Sequence, residues 1–161
     1  MNRTGAEARI QKYGNRALEK TGVLVGFDYG RRHIGVAVGQ TLTGTATALE
    51  TLQARNGIPD WEKISALLQE WQPDSLVVGI PYHLDGSTSE ITRAAEDFAQ
   101  QLESRHGLPV HREDERLTSR EAESVAAQQR KLGRIKRKDV DTDKLAAQII
   151  LQAWLDRRKN N

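Results

Sequence analysis

The chain has 161 residues, 37% of them hydrophobic and 29% charged, with a net charge of only +2 and no cysteine. That length suits one domain with a full core. The missing cysteines exclude disulfides, zinc–thiolate sites and a thiol nucleophile, and they agree with a reducing, cytoplasmic setting. No apolar run approaches the roughly 20 residues that span a bilayer, so no membrane partner is expected.

Residues 1–21 carry five basic and two acidic side chains and few large apolar ones. They hold no apolar signal core and predict a flexible basic arm ahead of a single domain over residues 22–158. Strand signals then cover Val23–Asp28, His33–Gly39 and Thr43–Leu52, joined by connections short enough for an antiparallel meander. Pro59 opens a helix whose apolar face is Trp61, Ile64, Leu67, Leu68 and Trp71. Ser75–Ile80 reads as a buried strand. Ser87 or Thr88 caps a long helix with Ile91, Ala94, Ala95, Phe98 and Leu102 inside, closed by Gly107-Leu108-Pro109. Val110–Glu115 is a shorter fifth strand, Thr118 or Ser119 opens a further helix, and Asp143–Leu155 is the last helix. The tryptophans Trp61, Trp71 and Trp154 fall on helical apolar faces and belong to the core. The order predicts an α/β domain: a mixed five-stranded sheet, a three-strand antiparallel meander plus two parallel strands, flanked by helices.

Asp28 is the position that demands an explanation. It ends the first strand between two apolar runs, Val23–Phe27 and Ile34–Gly39. A lone carboxylate buried there costs several kcal/mol unless it is paired or binds a metal. Companions are available from Glu113, Asp114 and Glu115 after the fifth strand and from Asp139, Asp141 and Asp143 at the last helix. Three gathered carboxylates stay ionised when a divalent cation lies among them. Oxygen-only ligands favour Mg²⁺ or Mn²⁺, and two such ions roughly 4 Å apart suit phosphodiester cleavage.

Two glycine-bearing turns, one at Gly30 and one containing Gly79, Asp85, Gly86 and Ser87, offer backbone approach to a phosphate at a helix start. Asp85 fits an Asx turn equally well. Arg130, Lys131, Arg134, Lys136, Arg137 and Lys138 put six positive charges and no acid between two predicted helices, a pattern suited to gripping a nucleic-acid backbone. The four histidines show no metal-ligand spacing, though His33 and His83 lie in the candidate loops.

Taken together, Gly26-Phe27-Asp28-Tyr29-Gly30 with Ile34–Gly39, Val78-Gly79-Ile80-Pro81 with Leu84-Asp85-Gly86, Asp114–Thr118, and Asp143–Ala147 with Ile149–Leu151 resemble four motifs of the YqgF (RuvX) family, in order and spacing. These are RNase H-like proteins known as Holliday junction resolvases or pre-16S rRNA nucleases. The resemblance covers about Val23 to Leu155. It implies an RNase H-like fold and selects Asp28, Glu115 and Asp143 as the metal-holding catalytic acids. It also implies hydrolysis of nucleic-acid phosphodiesters in the cytoplasm, and maturation of the 5′ end of small-subunit ribosomal RNA. The partners it implies are structured RNA first and branched DNA second, with the pre-ribosomal particle as a setting and a monomer or homodimer as the working form. One departure stands out: related resolvases carry a second acid one turn along the last helix, where this chain has Ala146. Two readings from other classes compete. The Asp-x-Gly turn also opens actin-like ATPases and sugar kinases, although this chain lacks their second lobe. A non-catalytic RNA-binding assembly factor would keep the fold without needing the acids.

Overall fold

The computed structural model describes residues 22–117 and 142–159. The expected arm at 1–21, the helix expected from Thr118 or Ser119, and the basic tract 130–138 lie outside the described residues. In chain order the elements are β1 (Val23–Asp28), β2 (His33–Gln40), β3 (Thr45–Arg55), β4 (Ile58–Pro59), α1 (Trp61–Trp71), β5 (Ser75–Ile80), α2 (Glu90–His106), β6 (Val110–Asp114), a 3-10 turn (Glu115–Leu117) and α3 (Thr142–Lys159).

The sheet has six strands in the order β4-β3-β2-β1-β5-β6. β1, β2 and β3 form the antiparallel meander, and β5 and β6 join β1 in parallel. The expected count of five strands is corrected by β4. β3 runs on to Arg55, and Asn56-Gly57 turns the chain with positive φ at both residues, 51° and 82°. That is the backbone a two-residue type I′ hairpin needs, and Asn-Gly tolerates it best. Pro59 therefore does not open α1. It lies in the edge strand, where a missing N–H is harmless, and the Asp60 carboxylate caps the helix by accepting from the Lys63 amide. α2 is likewise capped by Ser89, not by Ser87 or Thr88, in a reciprocal capping box with Thr92.

Alternation along β1 sends its residues to two cores. Val25 and Phe27 join Ile64, Leu67 and Leu68 of α1 and Phe98, Ala99 and Leu102 of α2. Leu24 joins Ala147, Ile150, Leu151 and Leu155 of α3 on the opposite face. Fully burying each such large side chain contributes roughly 1.5–3 kcal/mol. Trp61 and Trp71 pack against the first core and Trp154 against the second. α3 lies close on its face because the strands beneath it are bare: a Cβ at Gly26 would come within 2.9 Å of Leu151 Cβ. The same alternation puts Asp28, two residues beyond Gly26, on the α3 side.

Candidate active site

Asp28 pairs across the meander with Gly35 of β2. A Cβ at Gly35 would lie 1.9 Å from the Asp143 carbonyl oxygen, so the first turn of α3 rests on bare backbone beside Asp28. α3 begins at Thr142, which puts Asp143 in its first turn, where the helix dipole favours a carboxylate. Glu115 follows β6 in the 3-10 turn. Its side chain occupies the space over Gly79: a Cβ there would stand 2.6 Å from Glu115 Oε1 and 2.5 Å from Ile150 Cδ1. The sheet and α3 thus bring Asp28, Glu115 and Asp143 to one end of the strands.

Their electrostatics follow from that placement. Burial raises the Asp28 carboxyl well above the ordinary carboxylate range, and its hydrogen bond with Glu115 and the charges of Glu115 and Asp143 raise it further. Burial also raises Glu115, its bond to Asp28 lowers it, and the Asp114 charge raises it. The two carboxyls share one hydrogen bond, so one of them must carry a proton when no cation is present. Two buried carboxylates this close cannot both ionise without a cation between them.

The donor set is oxygen only and suits a hard divalent cation. A buried pair that must otherwise share a proton is what such an ion would relieve. Among the described residues, no three His, Asp or Glu side chains are drawn together at metal-holding geometry. The charge of Asp143 reaches Asp28, but one of its oxygens lies 4.0 Å from His33 Nδ1. The set is assembled in its donors and not closed.

The turn after Asp28 is braced from the hairpin. Tyr29 Oη donates to the Gly57 carbonyl at 2.6 Å, the Gly57 amide donates to the Arg31 carbonyl at 3.0 Å, and the Ala54 amide to the Arg32 carbonyl at 2.8 Å. At Gly30 a Cβ would meet the His33 carbonyl oxygen at 2.5 Å, so this glycine serves the tightness of the turn. The Arg31 guanidinium reaches Glu90 of α2 at 3.4 Å.

The neighbouring acids are engaged elsewhere. Glu113 is buried and paired with Arg157 of α3. Asp114 holds Arg116 at 2.6 Å, and that bond keeps its carboxyl below the ordinary range. Asp139 and Asp141 lie outside the described residues. In the second turn, Asp85 accepts from the Ser87 amide at 2.8 Å, its pKa is lowered by the Ser87 side chain first and by that amide second, and the Gly86 amide donates to the His83 carbonyl at 2.8 Å. The amides of Gly86 and Ser87 are therefore committed within the loop, and the room at Gly79 is filled by Glu115. Sequence reasoning missed the roles of His33, Tyr29 and Arg116. The Asn56-Gly57 dipeptide was the one signal that pointed to the Tyr29 brace.

Over residues 22–157 the sequence matches the family described as RuvX: Holliday junction resolvase. A protein of Azotobacter vinelandii named "Putative pre-16S rRNA nuclease" is 49% identical over 136 residues, covering 84% of this chain and 94% of that one. A protein of Pseudomonas putida with the same name is 48% identical over 134 residues, covering 83% and 94%. Among solved structures, Thermus thermophilus RuvC in complex with a Holliday junction substrate aligns with a TM-score of 0.52 at 19% identity, covering 85% of this chain and 95% of that one. Thermus thermophilus RuvC alone aligns with a TM-score of 0.50 at 18% identity, covering 86% and 96%. These likenesses carry the fold. Among the described residues no helix is long and apolar enough to cross a membrane. The chain has the expected RNase H-like fold and belongs to the RuvX (YqgF) family.

Proposed function

We propose that this chain is a metal-dependent nuclease that hydrolyses nucleic-acid phosphodiester bonds and processes the 5′ end of precursor 16S rRNA during ribosome biogenesis in the cytoplasm. The observation that carries this reading is the buried, hydrogen-bonded Asp28–Glu115 pair with the Asp143 charge beside it. Mg²⁺ or Mn²⁺ would be held by Asp28, Glu115 and Asp143 and would supply charge neutralisation at the phosphoryl oxygens and acidification of a water. The protein's share is positional. A strand end fixes Asp28, the seat over Gly79 fixes Glu115, and the first turn of α3 carries Asp143. The basic tract from Arg130 to Lys138 would hold the nucleic-acid backbone.

The names of the 47–49% identical relatives favour RNA as substrate. The family description favours a second reading, cleavage of a four-way DNA junction, which needs paired active sites and hence a homodimer. A metal-titrated cleavage assay on a pre-16S 5′ fragment and on a four-way junction, beside Asp28→Asn, separates the two. The RNA is expected to be cut with Mg²⁺, and the variant to lose at least about 100-fold in rate, the order of loss when one group stabilising the transition state is removed. Cleavage by Asp28→Asn at the wild-type rate sinks the proposal. A dimer in sedimentation that cuts only the junction moves it to the second reading.

A further inference from the structure

The loop joining β5 to α2 stands beside the carboxylate cluster without belonging to it. β5 and β6 pair up to Ile80 and Asp114, so the loop leaves the sheet at the end where Glu115 lies. At its tip Leu84 is 92% exposed. A lone exposed leucine is ordinary on a protein surface, but this one is held out by a cross-linked loop. The His83 amide donates to the Ser87 carbonyl at 3.0 Å, the Gly86 amide to the His83 carbonyl at 2.8 Å, and the Ser87 amide to Asp85 at 2.8 Å. Gly86 takes a φ of +89°, which a side chain would resist, and the Thr92 hydroxyl of α2 ties down the Pro81 carbonyl at the loop's start. The exposure of Leu84 is therefore built into the loop.

Beneath the loop lies a cleft of about 370 Å³ lined by Ile80, Tyr82, Gly86, Arg112, Asp114 and Arg116, among others. The Arg116 guanidinium is clamped by Asp114 and lies 5.5 Å from the centre of the Tyr82 ring. A flat cation fixed against an aromatic ring is a stacking surface for a nucleobase. An apolar wedge can unstack a base step, and a stacking surface beside it can receive the displaced base.

We propose that this loop is an unstacking element: Leu84 enters the base stack of a paired nucleic-acid segment, and the displaced base lies on the Tyr82–Arg116 surface over the cleft. This deepens the nuclease reading and rests on it for the chemistry. The substrate class it selects is paired or branched nucleic acid that can be distorted next to the cleaved phosphate, in preference to relaxed single strands.

The test uses an RNA hairpin and a four-way DNA junction, each carrying 2-aminopurine in a stacked position. Both are bound at saturating concentration to Asp28→Asn protein so that nothing is cut. A several-fold rise in fluorescence is expected with Asp28→Asn on at least one of the two substrates. The same rise is expected when Leu42→Ser is added, because Leu42 is also 92% exposed but lies in the turn after β2, at the end of the sheet away from Asp28. It should disappear when Leu84→Ser is added instead, and circular dichroism should show that the fold persists. In the cleaving protein, Leu84→Ser should lower the ratio of kcat/KM on paired substrate to that on single strands by about tenfold. A rise that persists without Leu84, no rise with saturated Asp28→Asn protein, or an unchanged ratio overturns the proposal. A Leu84-dependent rise in a protein that cuts no substrate supports the wedge and refutes the nuclease. Asp28-dependent cleavage that ignores Leu84 does the reverse.

Discussion

The missing side chain at Gly79 decides where Glu115 lies. A methyl group there would stand 2.6 Å from Glu115 Oε1 and 2.5 Å from Ile150 Cδ1, so Gly79→Ala must displace the Glu115 and Ile150 side chains. The expected cost is about 1–3 kcal/mol of stability, measured by urea denaturation, and a fall in kcat/KM of about 10²-fold, the loss that small misplacements of reacting groups produce. Undiminished cleavage would show that Glu115 does not need this seat. The Asp28–Glu115 pair makes a second prediction. Burial and the neighbouring acids raise the Asp28 carboxyl, so the folded chain holds that proton more tightly than the unfolded chain. The stability it contributes is full below the ordinary aspartate pKa of about 4 and is lost as pH rises through the raised value. In chelator-treated protein the melting temperature should fall as pH climbs from about 4 toward neutrality. Mg²⁺ should restore it, and Asp28→Asn should flatten the profile in calorimetry. A metal-free profile that rises over this range would contradict the raised Asp28 carboxyl. Asp28 was legible in the sequence because apolar runs enclose it. The choice among Glu113, Asp114 and Glu115 was not legible from spacing. Strand alternation puts the outer two on one side, and only Arg157, far along the chain, removes Glu113 from the set.

The elements show where local signals were read and where they were passed over. Gln53-Ala54-Arg55 has weak strand propensity, so the third strand was expected to stop at Leu52. Tertiary bonding carries it on, with the Ala54 amide donating to the Arg32 carbonyl. The Asn56-Gly57 hairpin then supplies Gly57 to Tyr29. Three possible caps, Ser87, Thr88 and Ser89, stand in a row before α2, and the usual capping-box spacing to a Glu favours Ser87, three residues before Glu90. Thr92 makes the choice, closing the capping box with Ser89 while its hydroxyl holds the Pro81 carbonyl. The seating of α3 was equally hidden, because it depends on contact between Gly35 and a backbone more than a hundred residues later. Gly35→Ala tests it. Its Cβ would meet the Asp143 carbonyl oxygen at 1.9 Å, with backbone on both sides and no rotamer to give way. Overpacking of this kind costs about 1–3 kcal/mol or more, and the displacement moves Asp143 away from Asp28. A lowered melting temperature together with weaker Mg²⁺ stabilisation is expected; a loss of stability with metal response intact would mean that Asp143 is not part of the ion's site.

For the whole molecule, the mixed sheet explains why acids distant in sequence meet. β1, β5 and β6 are parallel, so Asp28 and Asp114-Glu115 arrive at the same end of the strands. The strand order reverses there between β1 and β5, and crevices at the carboxyl ends beside such a reversal are where open α/β sheets bind their ligands. The described residues stop at Leu117 and resume at Thr142. The segment between holds the basic tract 130–138, with six of the chain's 24 Lys and Arg residues and none of its 22 acids. A net charge of +2 therefore hides a concentrated run of positive charge in the sequence, the kind that the proposed grip on a phosphate backbone would use. Each phosphate neutralised contributes about 0.7–0.9 to the slope of log affinity against log salt. Replacing Arg134, Lys136, Arg137 and Lys138 together with alanine should weaken nucleic-acid binding and flatten that slope by about 3, with no change in melting temperature. Fluorescence anisotropy across a salt series measures it. A weaker affinity with an unaltered slope would mean that these cations touch no phosphate, and the backbone grip would then fall to Arg31, Arg32 and Arg116, the exposed arginines at that end of the strands.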